Sequence, residues 1–341
     1  MARNSNDMSQ ICVSVIVPAY NASATISRTL KALSKQDFHK PFEVIVADDG
    51  SSDNTADIVR SFASVKYVRQ DNAGPASARN HAAKLAKGEY LAFTDSDCIP
   101  HEDWLSELMA GFDRQEVAVV AGSYGIANPE KWLARCVFKE ILWRHTSLMP
   151  DFPNAFGSYN FCVKKSVFDA VGGFNTGYRH ASGEDNDLSY KIVGSGQRIY
   201  FQPKALVDHY HPTRAVKYLK EQFYHGFWRV KMYKDHPRMM RPDGYTYWKD
   251  ILEVPLAGGL LLLAGLGVFH CPQLSVVGWL VFLLFLVFEI LSALIITRSF
   301  WEGFLFGFVL LFRAFARTLG FLMGGLSLMA SCCLPLTAKN P

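Results

Sequence analysis

The stretch VSVIVPAYNASATISRTLKALSKQ, Val13 to Gln36, joins two segments of different period. VSVIVPAY is a nearly continuous β-branched run, the pattern of a strand buried on both faces. TISRTLKALSKQ carries helical spacing. The alternation continues outward: FEVIVA, VKYVR and EYLAFT read as strands, and TADIVRSFA and PASARNHAAKLAKG as helices. Strands separated by helices of this length need right-handed crossovers, which predicts an α/β domain of doubly wound, mostly parallel type. Ligands of such sheets collect beyond the carboxyl ends of the strands. Four polar loops leave strands there: PAYNAS, DDGSSDNT, NAGPASARN and DSDC. Any one of them is ordinary turn chemistry; four along one rim suggest a binding site.

In the fourth loop Asp95 and Asp97 flank Ser96 directly after an apolar strand. Two carboxylates at that spacing suit a solvated turn or a divalent cation of the Mg²⁺ or Mn²⁺ kind, which prefers carboxylate, phosphate and water oxygens. Farther along, SGEDNDL sets Glu184, Asp185 and Asp187 within four positions. Ser182 with Asp185 resembles a helix cap, but a cap needs one acid, not three. Between Trp132 and Tyr210 the aromatics Trp132, Trp143, Phe152, Phe156, Tyr159 and Phe161 are dense, mostly as expected core, with some suited to flank a sugar ring.

With 341 residues the chain has room for one sizeable core and an appendage. The net charge of +4 is too small to argue for nucleic acid, and the basic residues gather between Lys217 and Lys249, just before an apolar region. The seven cysteines are scattered and odd in number, as in a reduced cytoplasmic protein. The polar start MARNSNDMSQ, residues 1–10, leads straight into the first strand, so no secretory signal is expected.

Past residue 250 the composition turns to Leu, Phe, Val and Gly. Spanning helices are expected at 251–270 and 274–297, each long enough for a hydrocarbon core of roughly 30 Å. The short break between them has no Lys or Arg, and the basic segment 214–250 precedes them, which places the soluble part in the cytoplasm at an inner membrane. A third apolar helix at 300–334 either spans or lies at the headgroups. Glu302, Arg313, Arg317, Gly320 and Gly324 share one stripe of it, facing other helices or snorkelling to phosphates. Glu289, within the second span, needs a partner, for which Arg313 or Arg317 are candidates. A polar tail, 335–341, follows.

VSVIVPAYNASATISRTL, VIVADDGSSDNT, NAGPASARNHAAKLAKGEYLAFTDSD and SGEDNDLSYKI, in this order and spacing, resemble family 2 of the inverting glycosyltransferases over about Val13 to Pro212. The resemblance implies a GT-A fold over 11–213 with a Rossmann-like sheet, followed by transmembrane helices. A membrane region after QFYHGFWR is similar to the subgroup that builds exopolysaccharides on lipid-linked acceptors. The resemblance further implies that Pro18, Ala19, Tyr20 and Asn21 border the donor's base, with Asp49 accepting from the base edge and Asp48 capping the following helix. It implies that Arg79 holds the diphosphate, that Asp95 and Ser96 contact the donor, and that Asp97 ligates Mg²⁺ or Mn²⁺. His209, or alternatively His211, matches a further metal ligand. Asp185 matches the general base, and Glu184 contacts the acceptor or tunes that base. Arg229 and Lys231 are the expected contacts to a lipid diphosphate.

The implied partners are a UDP- or GDP-sugar, a polyprenyl diphosphate-linked saccharide and the membrane, not nucleic acid; oligomeric state is not legible. The Q-x-x-R-W sequence of processive synthases does not occur, so one sugar per encounter is expected. A polyprenyl phosphate acceptor is the alternative, and an inactive nucleotide-sugar-binding scaffold a weaker one. A Rossmann dehydrogenase is disfavoured because no G-x-G-x-x-G follows the first strand.

Overall fold

The computed structural model describes residues 10–114, 116–178, 182–240, 246–269 and 272–333. The expected tails at 1–10 and 335–341 lie outside them, Gln10 excepted, as do His270 and Cys271 of the expected loop. The chain divides into two compact units. One comprises Met1–Glu130, Ile141–His211 and Asp243–Tyr245; the other comprises Lys131–Glu140, Pro212–Pro242 and Thr246–Pro341. The expected single domain over 11–213 thus gives Lys131–Glu140 to the second unit.

The first unit is built on β1 (Val13–Ala19), α1 (Ile26–Leu33), β2 (Phe42–Asp48), α2 (Thr55–Arg60), β3 (Val65–Arg69), α3 (Pro75–Leu85), β4 (Tyr90–Thr94), β5 (Cys98–Pro100), α4 (Trp104–Ala110), β6 (Val117–Ile126), α5 (Trp132–Ser147), β7 (Asn160–Lys164), α6 (Lys165–Ala170), α7 (Glu184–Gly194) and β8 (Arg198–His209). The strands form one sheet in the order β3-β2-β1-β4-β7-β6-β8-β5. β3, β2, β1 and β4 run parallel, and so do β6 and β8; β7 is antiparallel to both neighbours, and β5 is antiparallel to β8. The sheet is therefore mixed, with its parallel half where the strand and helix periods alternate most regularly.

Every residue of β1 is buried, which explains its unbroken apolar reading. α1 presents Ile26, Leu30 and Leu33 to the core and Arg28 and Lys31 to solvent. Phe93 of β4 packs against Phe161, Phe168 and Phe174, joining the parallel half to β7 and α6. Asn160, fully buried, accepts from Trp104 Nε1 at 2.8 Å and donates to the carbonyls of Ser123 and Ala205, so one satisfied amide ties β7 to β6 and β8. Of the expected aromatic cluster, Phe156, Tyr159 and Phe161 are core and Trp132 is exposed. Cys12, Cys98, Cys136 and Cys162 are free thiols.

The second unit contains the first half of α5 and the helices α8 (Ala215–Asp235), α9 (Trp248–Phe269), α10 (Pro272–Thr297) and α11 (Phe300–Cys333). Among the described residues two helices are long and apolar enough to cross a membrane, over Gln273–Thr297 and Phe300–Ala330. α9, expected to span from residue 251, carries Lys249, Asp250 and Glu253 near its start, all ion-paired.

The polar stripe of α11 faces neighbouring helices rather than headgroups. Arg313 is 1 % exposed and meets Glu140 at 2.8 Å and Glu253 at 3.2 Å; Arg317 donates to Gln222 and Asp250. Gly320 has a reason to be glycine, since a Cβ there would lie 2.0 Å from the Phe223 carbonyl of α8. Glu289 pairs with Lys249 at 2.7 Å, not with either arginine. Both arginines are held by acids on α5 and α9, and the sequence offered no way to see which helix would lie opposite Glu289.

Candidate active site

The first half of the site follows from the parallel strands. Since β3, β2, β1 and β4 share one direction, their carboxyl ends bring the four expected loops to one rim. After β1, Tyr20 is 55 % exposed, and Asn21 takes a left-handed φ of 50° that polar Asn tolerates. Its Oδ1 accepts from the Ser52 N–H at 2.9 Å, while its own N–H donates to Ser51 Oγ, so the first and second loops hold each other.

Asp48 and Asp49 are both buried and have different tasks. Asp48 accepts from the Ser51 N–H and the Tyr67 hydroxyl; burial raises its pKa, but these hydrogen bonds outweigh it and hold the group below the usual value. It does not cap α2, where Asp53 instead accepts from the Thr55 N–H. Asp49 accepts from the N–H groups of Ala73 and Gly74 at 2.9 Å and from Gln70 Nε2 at 2.7 Å. It thereby fixes the approach to α3, with a carboxylate at the positive end of that helix.

α3 carries Arg79 inward, along with buried Ala76, Ala78, Ala82 and Ala83. The side chain is 3 % exposed, so it is not a surface helix residue. Its guanidinium meets Asp95 at 2.8 Å, Glu184 at 3.2 Å and Asp185 at 3.9 Å, while Nε has no hydrogen-bond partner. Expected to be open to a diphosphate, Arg79 is instead taken up by carboxylates from two distant segments. Those contacts unite the DSDC loop with the start of α7.

α7 begins at Gly183, whose φ of 117° favours glycine. No side chain caps it; the Ser182 N–H donates to Glu184 Oε2 instead, so the resemblance to a capping pair does not hold. Successive helix positions are about 100° apart, and adjacent acids therefore differ in surroundings. Glu184 is 1 % exposed with both oxygens engaged, and burial followed by the nearby Asp185 carboxylate pushes its pKa well above the carboxylate range. Asp185 keeps about a quarter of its side chain exposed, at 25 %, while its buried Oδ1, 3.9 Å from Arg79, has no hydrogen bond. Burial also raises Asp95, although Arg79 opposes the shift.

The last part of the site depends on a strand of three residues. β5 pairs antiparallel with the end of β8, with Cys98 opposite His209. Asp97 therefore stands beside His209, 3.4 Å from Oδ1 to Nε2, and the Asp97 carbonyl accepts from the Tyr210 N–H. Asp97, Cys98 and His209 bring ligand atoms within 4.8 Å of one another. The Cys98 thiol is fully buried, and burial raises its pKa well above the normal value, so it stays protonated and is a poor donor. What is left, a half-open carboxylate and an imidazole, fits a Mg²⁺ or Mn²⁺ ion that fills its other positions with phosphate and water oxygens. His211 is 3 % exposed, with burial lowering its pKa to about 3, and its Nε2 points at the Gly125 carbonyl rather than at Asp97.

Tyr124 was not singled out in the sequence. Its ring stacks on Tyr159 at 3.6 Å and lies 5.2 Å from the His209 ring. No local pattern marks it, because β6 and β8 meet only through long-range pairing. Arg229 and Lys231 lie on α8 of the second unit; Arg229 donates to Thr246 Oγ1 and Lys231 pairs with Asp235.

Comparisons with known proteins fit this geometry. A validoxylamine A glucosyltransferase of Streptomyces hygroscopicus subsp. jinggangensis is 31 % identical over 218 residues, 54 % of this chain and 52 % of that protein. Glycosyltransferase AglE of Haloferax volcanii is 28 % identical over 244 residues, 69 % of this chain and 79 % of its own length. The chain spans about half the length of several curated relatives it matches. Among solved structures, the mannosyltransferase PcManGT of Pyrobaculum calidifontis, in complex with GDP-Man and Mn²⁺, superposes with a TM-score of 0.57 at 20 % identity, covering 96 % of this chain and 89 % of that one. The mixed sheet is thus GT-A-like, as the motifs implied. Residues 14–181 match the model of glycosyl transferase family 2, and through this domain the chain belongs to that family.

Proposed function

We propose that the chain is a metal-dependent inverting glycosyltransferase that moves one sugar from a nucleoside diphosphate donor to a hydroxyl of a lipid-linked saccharide. The carrying observation is the division of roles among acids around one guanidinium. Asp97 is open beside His209, Glu184 is buried against Arg79, and Asp185 in the same cluster keeps a quarter of its side chain exposed.

Asp97 and His209 would hold the divalent cation, which when bound compensates the charge that gathers on the departing diphosphate. Tyr20, Asn21 and the first-strand exit would border the base, with Pro18 and Ala19 shaping its floor. Asp49 keeps the N-terminus of α3 in place beside them, and Asp95 and Ser96 would contact the donor. Arg79 is a positioning residue that holds Asp95 and Glu184 at one distance from each other. As the acceptor oxygen bonds to the anomeric carbon, the bond to the β-phosphate oxygen breaks on the opposite face, and Asp185 takes the hydroxyl proton. A single in-line displacement inverts the anomeric centre.

The membrane part of the reading rests on α10 and α11, which are long and apolar enough to cross as a hairpin. In that arrangement the sheet unit works on the cytoplasmic side, and Arg229 and Lys231 reach an anionic lipid diphosphate. One named relative is a glucosyltransferase and the solved structure is a mannosyltransferase, so the reading of donor class and acceptor rests on the chemistry of the site. A polyprenyl phosphate acceptor is the second reading; it is already ionised and leaves a base little to do.

The test is metal-dependent release of nucleoside diphosphate by the full chain in membranes, over a panel of UDP- and GDP-sugars. Asp185→Asn should lower turnover roughly 10²–10⁴-fold with donor binding intact. Near-normal turnover would favour the phosphate acceptor, and no release with any donor would favour an inactive binding module.

A further inference from the structure

Asp95 to Cys98 form a β-turn, closed by the Cys98 N–H donating to the Asp95 carbonyl at 3.1 Å. The central peptide of that turn joins Ser96 to Asp97. Its carbonyl, that of Ser96, accepts from the Thr29 hydroxyl of α1 at 3.0 Å, across 67 positions of sequence. A carbonyl can only accept, so the hydroxyl is the donor.

Thr29 is fully buried in the core stripe of α1, with Ile26, Leu30 and Leu33. Packing alone gives such a stripe no use for a hydroxyl, and valine has the same shape. A threonine hydroxyl in a helix commonly turns back to a carbonyl three or four residues earlier. This one leaves its helix for the peptide between the two loop carboxylates. Gln36, two turns farther along the same face, makes a matching pair of bonds: it donates to the His101 carbonyl at 2.7 Å and accepts from the Leu105 N–H at 3.0 Å. α1 therefore holds the chain from Ser96 to Leu105 at both ends.

The orientation of the central peptide decides the backbone of Asp97. Turning it over would give a type II turn, which needs a positive φ at Asp97 that a residue with a Cβ disfavours. Among the described non-glycine residues only Asn21, Glu116 and Arg298 have a positive φ, so Asp97 sits in the unturned form. In that form its carbonyl accepts from the Tyr210 N–H at 3.2 Å and its carboxylate stands 3.4 Å from His209. Arg79 holds Asp95, at the first corner, at 2.8 Å.

We infer that Thr29 is a positioning residue: its hydroxyl fixes the Ser96–Asp97 peptide and so presents the Asp97 carboxylate beside His209. The inference rests on the proposed metal site and adds the group that orients its carboxylate from outside the loop. Loss of a group that orients a ligand typically weakens metal binding ~10–100-fold.

The test is Mn²⁺ affinity of the full chain in detergent, read by water proton relaxation in the presence of nucleoside diphosphate. Thr29→Val keeps the shape and loses the hydroxyl, and affinity should fall ~10–100-fold. Thr29→Ser keeps the hydroxyl and loses a methyl group, and affinity should stay close to that of wild type although packing is poorer. A folded Thr29→Val that binds as wild type does, or a loss in Thr29→Ser as large as in Thr29→Val, would make Thr29 a packing residue and overturn the inference alone. Should Thr29→Val not fold, Thr29→Ala compared with Thr29→Ser decides, since both lack the methyl and only one lacks the hydroxyl; equal affinities would overturn the inference. Absence of Mn²⁺ binding to the wild type would overturn the metal site beneath it.

Discussion

The two units treat buried charge in opposite ways. In the helical unit the acids Glu140, Asp250, Glu253, Glu289 and Glu302 are met by Arg135, Lys139, Lys249, Arg313 and Arg317, five against five. At the rim of the sheet unit, Arg79 alone is paired among the described residues with Asp95, Glu184 and Asp185, and Asp97 stands two residues from the first of these. Balanced charge in an apolar setting serves as a specific fastening between helices. A surplus of carboxylates around one guanidinium is costly to hold and becomes reasonable where a cation arrives with its ligand.

The contrast is sharpest if one cation is removed from the balanced unit. Arg313→Met takes the guanidinium away from buried Glu140 and leaves Glu253 to Lys249 and Arg317, and it should destabilise the helical unit by ~3–5 kcal/mol, read from thermal unfolding in detergent. Combining it with Glu140→Gln should restore part of that loss. At the rim, Glu184→Gln should cost about 1–3 kcal/mol, because the amide keeps an acceptor for only one of the two donors that Glu184 serves, Arg79 and the Ser182 N–H. A larger cost at Glu184 than at Arg313 would invert the comparison.

Acid provides the next effect, through a residue that belongs to neither cluster. His145 is 7 % exposed, its Nδ1 is 2.8 Å from Ser123 Oγ, and burial, with Arg144 nearby, lowers its pKa to about 4. Its folded value lies below the unfolded one, so the unfolded chain binds more protons between pH about 6.5 and 4 and stability falls as pH drops through that window. The loss should approach ~3 kcal/mol near pH 4 and should shrink in His145→Gln. Glu184, whose pKa is raised, acts with the opposite sign: its contribution is present at low pH and is lost as pH rises through its folded value. Unfolding midpoints of wild type, His145→Gln and Glu184→Gln across pH separate the two.

Smaller effects follow from packing and surface charge. Gly320→Ala should cost about 1–3 kcal/mol because α8 must move off α11 to admit a methyl group. Lys231→Ala, an exposed pair four residues from Asp235, should change stability by less than about 0.5 kcal/mol. A loss of lipid-acceptor turnover in that variant without a loss of stability would support Lys231 as a headgroup contact.

Much of the parallel half was legible because period is a local property: β1, β2 and β4 bury both faces, and their helices keep one apolar stripe. The loop acids were legible for the same reason, since they follow strand ends directly. What the sequence withheld came from distant pairing. β5 has three residues and no readable period, yet its register with β8 decides that His209 rather than His211 stands beside Asp97. Adjacent Glu184 and Asp185 look alike in the sequence, and only the helix turn separates the buried one from the open one. Arg79 was read as an anion ligand because its partners lie 16, 105 and 106 positions away. Glu289 found Lys249, at the start of α9, where the two arginines considered for it meet Asp250 and Glu253 instead.

The most direct measurement is Mn²⁺ binding to the full chain with and without a nucleoside diphosphate, comparing wild type with Asp97→Asn. Binding should be strengthened by the diphosphate in the wild type and lost in the variant, because the ion offsets the surplus carboxylate charge at the rim and fills its other positions with diphosphate oxygens. Equal binding in both proteins, or binding indifferent to the diphosphate, would contradict a cation held at Asp97 and His209.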